Sequence, residues 1–248
     1  MNYNPFSLEG KKILVVGASS GIGKAIALEC AEMGASVLLA SRNTQALEEV
    51  AMQAHGNEHK VITADITTEE GVSNIVQNVD TIDGLVLVSG KSCTIPVPFC
   101  QRKDFEEVFN LNYFAHCEIV RTLYKKKKIS KNGSIVFIAS IGGITKTATG
   151  NAIYASSKAA LNAFMKHCAL EFASRQIRVN SIAPGMTETP LIYEGKVSEE
   201  QMHADMMSYP LKRYGKPSDI AHGAIYLLSD ASNWVTGNTL VIDGGKSI

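Results

Sequence analysis

The feature that most constrains the fold is a series of seven short apolar runs, separated by longer segments of helical composition. The runs read KILVVG, SVLLAS, KVITAD, GLVLVSG, SIVFIAS, IRVNSIAPG and TLVIDGG. Their hydrophobicity is continuous rather than alternating, which is typical of strands that are covered on both faces. The sequence therefore predicts a doubly wound α/β fold of the Rossmann type, with about seven parallel strands and helices on both faces of the sheet.

The segments between the runs predict the helices. The first should begin near Ile22 and close on Gly34, a residue type that commonly follows a helix. Further helices are expected over 44–54, 68–78, 101–127, 153–174 and 217–229. Residues 186–214 are weakly patterned and are predicted to form a substrate loop or lid. Because no linker, repeat or low-complexity tract divides the chain, residues 1–248 are predicted to form a single domain.

Composition excludes several classes of function. Lysine plus arginine equals aspartate plus glutamate at 24 each, so no global field favours nucleic acid or an anionic membrane surface. Five scattered cysteines without CxxC spacing fit neither a disulfide framework nor a zinc site. No segment resembles a signal peptide or a membrane span. We therefore expect a cytoplasmic protein with a small-molecule partner and no metal.

A glycine-rich turn, Gly17-Ala-Ser-Ser-Gly21-Ile-Gly23, leads from the first predicted strand into the first predicted helix. Glycines let backbone amides approach a pyrophosphate, and the start of a helix carries partial positive charge. A mononucleotide P-loop is disfavoured, because Ala18 and Ala25 occupy positions where that motif needs glycine and serine or threonine. The spacing is looser than the usual GxGxxG, yet its place between strand and helix favours a dinucleotide site.

The end of the second strand bears on cofactor choice. A free ribose 2′-hydroxyl favours an acidic residue there, whereas this chain has Ser41-Arg42. A guanidinium matches a 2′-phosphate, so NADP(H) is predicted over NAD(H), although Arg42 could instead be a solvated loop residue. Asp65 closes the third strand and could accept from the adenine amino group, or could simply be a turn residue. Thr67 with Glu70 is predicted to form a capping box.

A phenol and an ammonium, Tyr154 and Lys158, lie four residues apart in the segment YASSK of a predicted helix. They share one helix face about 6 Å apart along its axis. Lowering a tyrosine pKa from about 10 by ~3 units requires roughly 4 kcal/mol, and a nearby cation could supply part of it. Ser140 ends the fifth strand, where open α/β sheets bind ligands, so its hydroxyl could meet a substrate oxygen or merely shape a turn. The tyrosine–lysine spacing alone is a weak signal of catalysis, and the serine and glycine motifs elsewhere in the chain strengthen it.

These residues together resemble the short-chain dehydrogenase/reductase family, and most resemble its 3-oxoacyl-carrier-protein reductases. The resemblance covers nearly the whole chain, including KPSDIAHGAIYLLSD and VTGNTLVIDGG. It is carried by Gly17-x-x-x-Gly21-x-Gly23, Asp65, Asn112, Ser140, Tyr154-x-x-x-Lys158 and PGMTET. It implies an enzyme that interconverts a ketone and a secondary alcohol by hydride transfer.

The resemblance also implies a role for each catalytic residue. Tyr154 would be the acid–base, Lys158 would lower its pKa and bind the nicotinamide ribose, and Ser140 would orient the substrate oxygen. Asn112 would hold a relay water; Asn110 is one register step away, and the distance to Ser140 favours Asn112. Pro184 and the residues after it would hold the carboxamide. The implied cofactor site comprises Gly17, Ser19, Ser20, Gly21, Ile22, Gly23, Ser41, Arg42, Asp65, Ile66, Ser89, Gly90, Tyr154, Lys158, Pro184, Gly185, Thr187 and Thr189.

Two positions depart from the family pattern. Val16 stands where threonine is usual, and Leu87-Val88-Ser89-Gly90 replaces Asn-Asn-Ala-Gly after the fourth strand. The usual asparagines brace the sheet and cofactor loop, so their loss bears on stability and cofactor affinity. Apolar replacements remain consistent when both partners change together.

Substrate and partners are less constrained. The candidate substrates are a ketone, an alcohol and an acyl thioester, including a thioester of acyl carrier protein. Sugar, polyol and steroid alcohols remain open, as does a non-catalytic nucleotide-binding protein on the same fold. Basic groups at Lys125 to Lys128, Lys131 and Arg175 could meet an acidic carrier protein or could be a solvated helix end. The resemblance implies a homotetramer or homodimer, paired through helices 101–127 and 153–174.

Overall fold

A computed structural model describes residues 4–56, 58–193 and 198–248 of the chain. It contains one seven-stranded sheet in the order β3-β2-β1-β4-β5-β6-β7, and every neighbouring pair is parallel. The strands are β1 (Lys12–Val16), β2 (Ser36–Ser41), β3 (Lys60–Thr63), β4 (Ile82–Leu87), β5 (Ile129–Ile138), β6 (Arg178–Pro184) and β7 (Thr239–Ile242). The predicted fold class is confirmed, and each apolar run contains one strand.

The described residues contain nine α-helices. They are α1 (Gly21–Glu32), α2 (Thr44–Gln53), α3 (Glu69–Asn78), α4 (Arg102–Phe109), α5 (Ala115–Lys125), α6 (Ala152–Glu171), α7 (Pro190–Tyr193), α8 (Glu199–Met207) and α9 (Pro217–Leu228). The weakly patterned connection 186–214 therefore holds two short helices, and residues 194–197 within it lie outside the described part of the chain.

The segment 101–127 was predicted as one regular helix, and this is wrong in detail. A π-helical turn, Asn110–Phe114, separates α4 from α5. Such wide turns occur mostly as single insertions in helices and often mark functional positions. Here the turn contains Asn112, whose fully buried side chain bonds outside its own helix.

The predicted capping box at the start of α3 is also wrong. The N-cap is Thr68, whose hydroxyl accepts from the Gly71 amide at 3.0 Å. Thr67 lies one residue earlier and donates its amide and hydroxyl to Asp65 Oδ1, at 3.0 and 2.6 Å. Asp65 thus shapes the turn between β3 and α3, because its carboxylate closes a local hydrogen-bonded ring.

Both faces of the sheet are covered by helices. Alternate residues of the central strands point to opposite sides, so that Val16 and Leu87 join the core beneath α3, α5 and α6. Val15 and Val86 join the core beneath α1, α2 and α9. Burial on both sides explains why the strands read as continuous apolar runs. Across the described ranges, no helix combines the length and apolar character that crossing a bilayer requires.

The strand order reverses between β1 and β4. The chain builds β2 and β3 to one side of β1, then continues with β4 on its other side. Loops that leave the carboxyl ends of β1 and β4 therefore lead to opposite faces, and a crevice opens between them. The candidate site lies in this crevice.

Candidate active site

A cleft of about 460 Å³ opens at the carboxyl ends of the strands. Its lining includes nearly every residue that the sequence assigned to cofactor or catalysis. The predicted residues found there are Gly17, Ser19, Ser20, Gly21, Ile22, Ser41, Arg42, Asp65, Ile66, Ser89, Gly90, Ser140, Tyr154, Lys158, Pro184, Gly185, Thr187 and Thr189. Two predicted residues, Gly23 and Asn112, do not line the cleft and instead support it from behind.

The glycine loop is built by close approach of backbone segments. Gly17 has φ +94°, and a Cβ there would lie 2.8 Å from the amide nitrogen of Ser89. A Cβ at Gly23 would overlap the carbonyl group of Gly17, so this glycine lets α1 pack onto the loop rather than touch a ligand. Ser20, the N-cap of α1, makes no side-chain cap. The first amides of α1 therefore remain suited to an anion such as a pyrophosphate.

The two departures from the family pattern meet in the sheet. Val16 and Leu87 are direct partners across β1 and β4, and both are fully buried. Backbone hydrogen bonds join the loops after these two strands. The amides of Val88 and Ser89 donate to the Val16 carbonyl at 2.9 and 3.2 Å. Both members of this pair are thus apolar, and each satisfies the other's need for a nonpolar neighbour.

Arg42 and Asp65 lie at the same end of the cleft, after β2 and β3. Arg42 is exposed. The hydrogen bonds from Thr67 hold the pKa of the Asp65 carboxyl below its usual value, and the Arg42 charge adds a smaller effect in the same direction. An exposed guanidinium beside a fixed carboxylate can bind a phosphate while the carboxylate accepts from an amino group.

Ser140 and Tyr154 stand at the other end. Ser140 follows β5, and its Oγ accepts from the Gly142 amide at 3.1 Å. Burial raises the pKa of the Tyr154 phenol above its ordinary value, and a hydrogen bond with Ser140 opposes this shift. The expectation that the neighbouring ammonium and an oxidised nicotinamide ring lower this pKa stays a prediction, because burial raises it in the protein without cofactor. A phenol that stays protonated at neutral pH is instead suited to donate a proton.

Lys158 is 3% exposed and lies four residues after Tyr154 on α6. Its Nζ donates to the Ile138 carbonyl at 2.8 Å, at the end of β5. Burial lowers the pKa of the ammonium to about 8. A Cβ placed on Gly90 would lie 3.3 Å from both Lys158 Nζ and Asn112 Oδ1, so the loop after β4 passes between these two groups.

Asn112 is fully buried in the π-helical turn. Its Oδ1 accepts from the Lys91 amide at 2.9 Å, and its Nδ2 donates to the Lys91 carbonyl and to Ser157 Oγ, both at 3.1 Å. Ser157 in turn donates to the Tyr154 carbonyl at 2.7 Å. Asn112 therefore ties the loop after β4 to the helix that carries Tyr154 and Lys158.

His116 was missed by the sequence analysis. It lies one helical turn beyond Asn112 and is fully buried, and neither ring nitrogen has a hydrogen-bond partner of good geometry among the described residues. Burial lowers its pKa to about 3, and the Lys158 charge adds to the effect, whereas the Ser89 backbone opposes it. The spacing of four from Asn112 could have pointed to it, because residues i and i+4 share a helix face.

Other lining residues were missed because they carry no chemical signature. They are strand-end or loop residues next to predicted ones: Asn43, Ala64, Val88, Leu111, Ile138, Ala139, Pro190 and Ile192. Proximity to a strand end was the available signal. Within the described ranges, no group of three or more histidine, cysteine, aspartate or glutamate side chains could hold a metal ion.

The basic groups considered for an acidic partner lie elsewhere. Lys125 to Lys128 precede β5 and so lie at the amino end of that strand, opposite the edge where the cleft opens. Lys128 Nζ donates to the Val79 carbonyl. Arg175 donates to the Ile129 carbonyl at 2.6 Å and lies over the Tyr124 ring. Two of these cations are therefore engaged within the subunit.

A doubly wound sheet with a glycine loop, a serine, a tyrosine and a lysine in one cleft defines an oxidoreductase of the dinucleotide-binding class. A family model described as enoyl-(acyl carrier protein) reductase matches residues 17–247. The chain belongs to the short-chain dehydrogenase/reductase family, and it is a nicotinamide-dependent oxidoreductase acting on CH–OH groups.

Relatives and solved structures agree with this family. The chain is 35% identical to the 3-oxoacyl-(acyl-carrier-protein) reductase FabG of Thermotoga maritima, over 97% of this chain and 99% of that one. It is 35% identical to the glucose 1-dehydrogenase of Gluconobacter oxydans, over 96% and 92% of the two chains. The Pseudomonas aeruginosa RhlG/NADP active-site complex superposes with a TM-score of 0.91 at 30% identity, covering 99% of this chain and 100% of the other.

Proposed function

We propose that this protein is an NADPH-dependent reductase of 3-oxoacyl thioesters, acting as one dinucleotide-binding and catalytic domain with residues 186–214 as a substrate loop. The observation that carries the proposal is the placement of Ser140, Tyr154 and Lys158 in the same cleft as the glycine loop. The NADP complex among the similar structures and the reductases among the relatives support it.

The residues present fit a phosphorylated dinucleotide. The uncapped start of α1 suits the pyrophosphate, and the exposed Arg42 suits a ribose 2′-phosphate. Asp65 is already ionised and oriented by Thr67, so it can accept from the adenine amino group. We assign the remaining lining residues from Ser89 to Thr189 to the nicotinamide half. When bound, the reduced cofactor supplies the hydride.

The chain's own groups manage the substrate oxygen and its proton. Ser140 donates its hydroxyl to the carbonyl oxygen and orients it. Tyr154, kept protonated by its raised pKa, delivers the proton as negative charge develops on that oxygen. Lys158 then stabilises the phenolate, because its ammonium is buried one helical turn along α6, where charge is poorly screened. Asn112 holds the loop after β4 and α6 in register, and we assign it the relay water that the family pattern implies.

Apolar side chains favour an acyl substrate over a free sugar. Val88, Leu111 and Ile192 line the cleft, and Met186 beside it is 41% exposed. A polyol would leave its hydroxyl groups without partners on such surfaces. The glucose 1-dehydrogenase relative keeps a sugar alcohol as the alternative substrate class.

We further propose that the enzyme is a cytoplasmic homotetramer. A groove bordered by α3, α5 and α6 carries the exposed ring of Phe114, and apolar surface of this kind suits subunit contact. Light scattering coupled to size-exclusion chromatography measures the mass directly, and a monomer at micromolar concentration would exclude this assembly.

The experiment that tests the function is NADPH oxidation with matched substrates. We expect turnover of a 3-oxoacyl thioester, with glucose and a steroid ketone much slower, and about a 10³-fold lower kcat in Tyr154→Phe. Tyr226→Phe, on the opposite face of the sheet, is the control and should retain wild-type kcat. If NADPH binds but wild type and Tyr154→Phe are equally inactive on every substrate, the protein is a nucleotide sensor instead.

The acyl carrier is a separate question that one comparison answers. The same 3-oxoacyl group is presented on acyl carrier protein and on coenzyme A. A higher kcat/KM for the carrier protein supports a docked protein partner, whereas equal values assign the enzyme to free thioesters. NADH in place of NADPH tests the cofactor preference in the same assay.

A further inference from the structure

The segment that follows β6 is held by hydrogen bonds to residues 209 and 215. Pro184, Gly185 and Thr187 line the cleft, whereas Met186 between them is turned outward and 41% exposed. The Met186 carbonyl accepts from the Gly215 amide at 2.9 Å. The Met186 amide donates to the hydroxyl oxygen of Tyr209 at 3.0 Å. One side chain therefore holds the backbone that borders the cleft.

Tyr209 is itself firmly held. It is 3% exposed, and its ring packs edge-on against the ring of Tyr214 with centroids 5.5 Å apart. The ammonium of Lys246 lies 4.5 Å from the centre of the Tyr209 ring, within the range of a cation–π interaction. The position of the hydroxyl is thus fixed by aromatic packing and by a cation from the end of the chain.

Lys246 connects Tyr209 to α8. Its Nζ pairs with Asp205 Oδ1 at 2.9 Å and also donates to Ser208 Oγ. Asp205 Oδ2 accepts from the Tyr214 hydroxyl at 3.0 Å. One carboxylate therefore binds both the lysine and the second tyrosine, so that α8 is joined to residues on either side of Tyr209.

The segment that carries Lys246 is anchored to the sheet. It follows β7, and Asp243 accepts from the amides of Gly245 at 2.9 Å and Ser247 at 2.8 Å. The Leu211 amide donates to the Gly244 carbonyl at 3.3 Å. The segment after β6 and the turn after β7 therefore both bond to the same part of the chain, residues 205–211.

We propose that Tyr209 is a positioning residue for the cofactor, and that Lys246 with Asp205 is a latch that holds α8 and Tyr209 in place. This inference rests on the proposed function. Because the Met186 amide lies between two residues that line the cleft, its orientation sets where Gly185 and Thr187 present their backbone groups. The latch couples the position of α8 to that orientation.

The test uses substitutions that remove one interaction each. Tyr209→Phe keeps the ring and its packing but removes the acceptor for the Met186 amide. Lys246→Met keeps chain length and apolar contact but removes the charge. Lys212→Met is the matched control, because Lys212 Nζ donates to the Met207 carbonyl at 2.8 Å at the end of the same helix. Lys212 bonds to Tyr209 through its backbone amide, at 2.9 Å from the Tyr209 carbonyl, and the substitution keeps that bond.

Hydrogen exchange by NMR in the cofactor-free protein reads the structure directly. We expect the Met186 amide to exchange about tenfold faster in Tyr209→Phe, as befits loss of one hydrogen bond. The amides of α8 should exchange faster in Lys246→Met, and Lys246→Arg should restore them. Unchanged exchange in both variants, or an equal change in Lys212→Met, overturns the latch.

Measurements of NADPH affinity test the proposed positioning role of Tyr209. By fluorescence titration, the Kd for NADPH should rise about tenfold in Tyr209→Phe, and KM for NADPH should follow while kcat changes less than twofold. A fall in kcat at unchanged Kd would overturn the positioning role. If the wild type proves inactive on every ketone, the proposed function fails, and the exchange data still decide the latch.

Discussion

The two ends of the cleft are built by different means. At the end bordered by β1, β2 and β3, the groups that line the cleft follow strands directly, and Arg42 is exposed. At the other end, Lys158 and the supporting residues Asn112 and His116 are buried, and they come from separate helical segments. The first end depends on local sequence, whereas the second depends on packing between distant segments.

Titration behaviour shows the same difference. The pKa of Asp65 is lowered mainly by hydrogen bonds from Thr67, two residues away. The pKa values of Tyr154, Lys158 and His116 are shifted mainly by burial. Groups whose state depends on burial should respond strongly to substitution, and exposed groups should respond weakly.

Lys158→Met should have the largest effect, because it removes the buried cation one helical turn from the proton donor. We expect kcat for ketone reduction to fall roughly 10²- to 10⁴-fold, with the protein still folded. Lys166→Met, on the exposed side of the same helix, is the control and should retain activity. An active Lys158→Met would mean that the two ends of the cleft do not differ as described.

The pH profile of the unsubstituted enzyme follows from the same group. The Lys158 pKa is lowered to about 8, so the ammonium is present below pH 8 and is lost as the pH rises through that value. Log kcat/KM for reduction should therefore decline above about pH 8. A flat profile up to pH 10 would exclude the charged form of Lys158 as the active one.

Arg42→Ala should have an intermediate effect, confined to the exposed end. We expect the ratio of kcat/KM with NADPH to that with NADH to fall about 10- to 100-fold, because a charge-assisted hydrogen bond to the 2′-phosphate is lost. Rising salt should reduce the wild-type preference, because the group is exposed. Arg102→Ala, an exposed arginine paired with Glu106, should leave the ratio unchanged.

The accuracy of the sequence predictions also differs between features set by local sequence and features set by packing of distant segments. The strands were predicted correctly, and α1 begins at Gly21, next to the predicted start at Ile22. The predicted strand-end residues line the cleft. Each of these features depends on neighbours along the chain. The distinction between lining and supporting residues was not predicted. Gly23 and Asn112 carry family motifs, yet they lie behind the cleft and act through backbone contacts that only the folded chain creates.

The upward shift of the Tyr154 pKa in the protein without cofactor was not predicted, for a related reason. Helical spacing places Lys158 near the phenol but does not say how much water remains there, and burial is the largest cause of the shift. The π-helical turn was also unpredicted, and its Asn112 makes contacts with Lys91 and Ser157, which are distant in sequence. Local sequence pattern thus predicted which residues come together at the cleft, but it did not predict their pKa shifts.

His116→Leu should have the smallest effect and tests the buried end without touching catalysis. A buried imidazole without good hydrogen bonds costs stability, so an apolar side chain should raise the free energy of unfolding at pH 7 by about 1 kcal/mol. The folded pKa is lowered to about 3, so the unfolded chain binds the proton first and wild-type stability falls as pH drops below about 6.5.

Urea unfolding between pH 5 and 7 measures this difference. Wild type should lose about 1.4 kcal/mol per pH unit more than His116→Leu below pH 6, because one proton is taken up on unfolding. The exposed His55→Gln should follow the wild-type slope. If His116→Leu also follows it, His116 is protonated normally in the fold, and the buried end of the cleft admits water as freely as the exposed one.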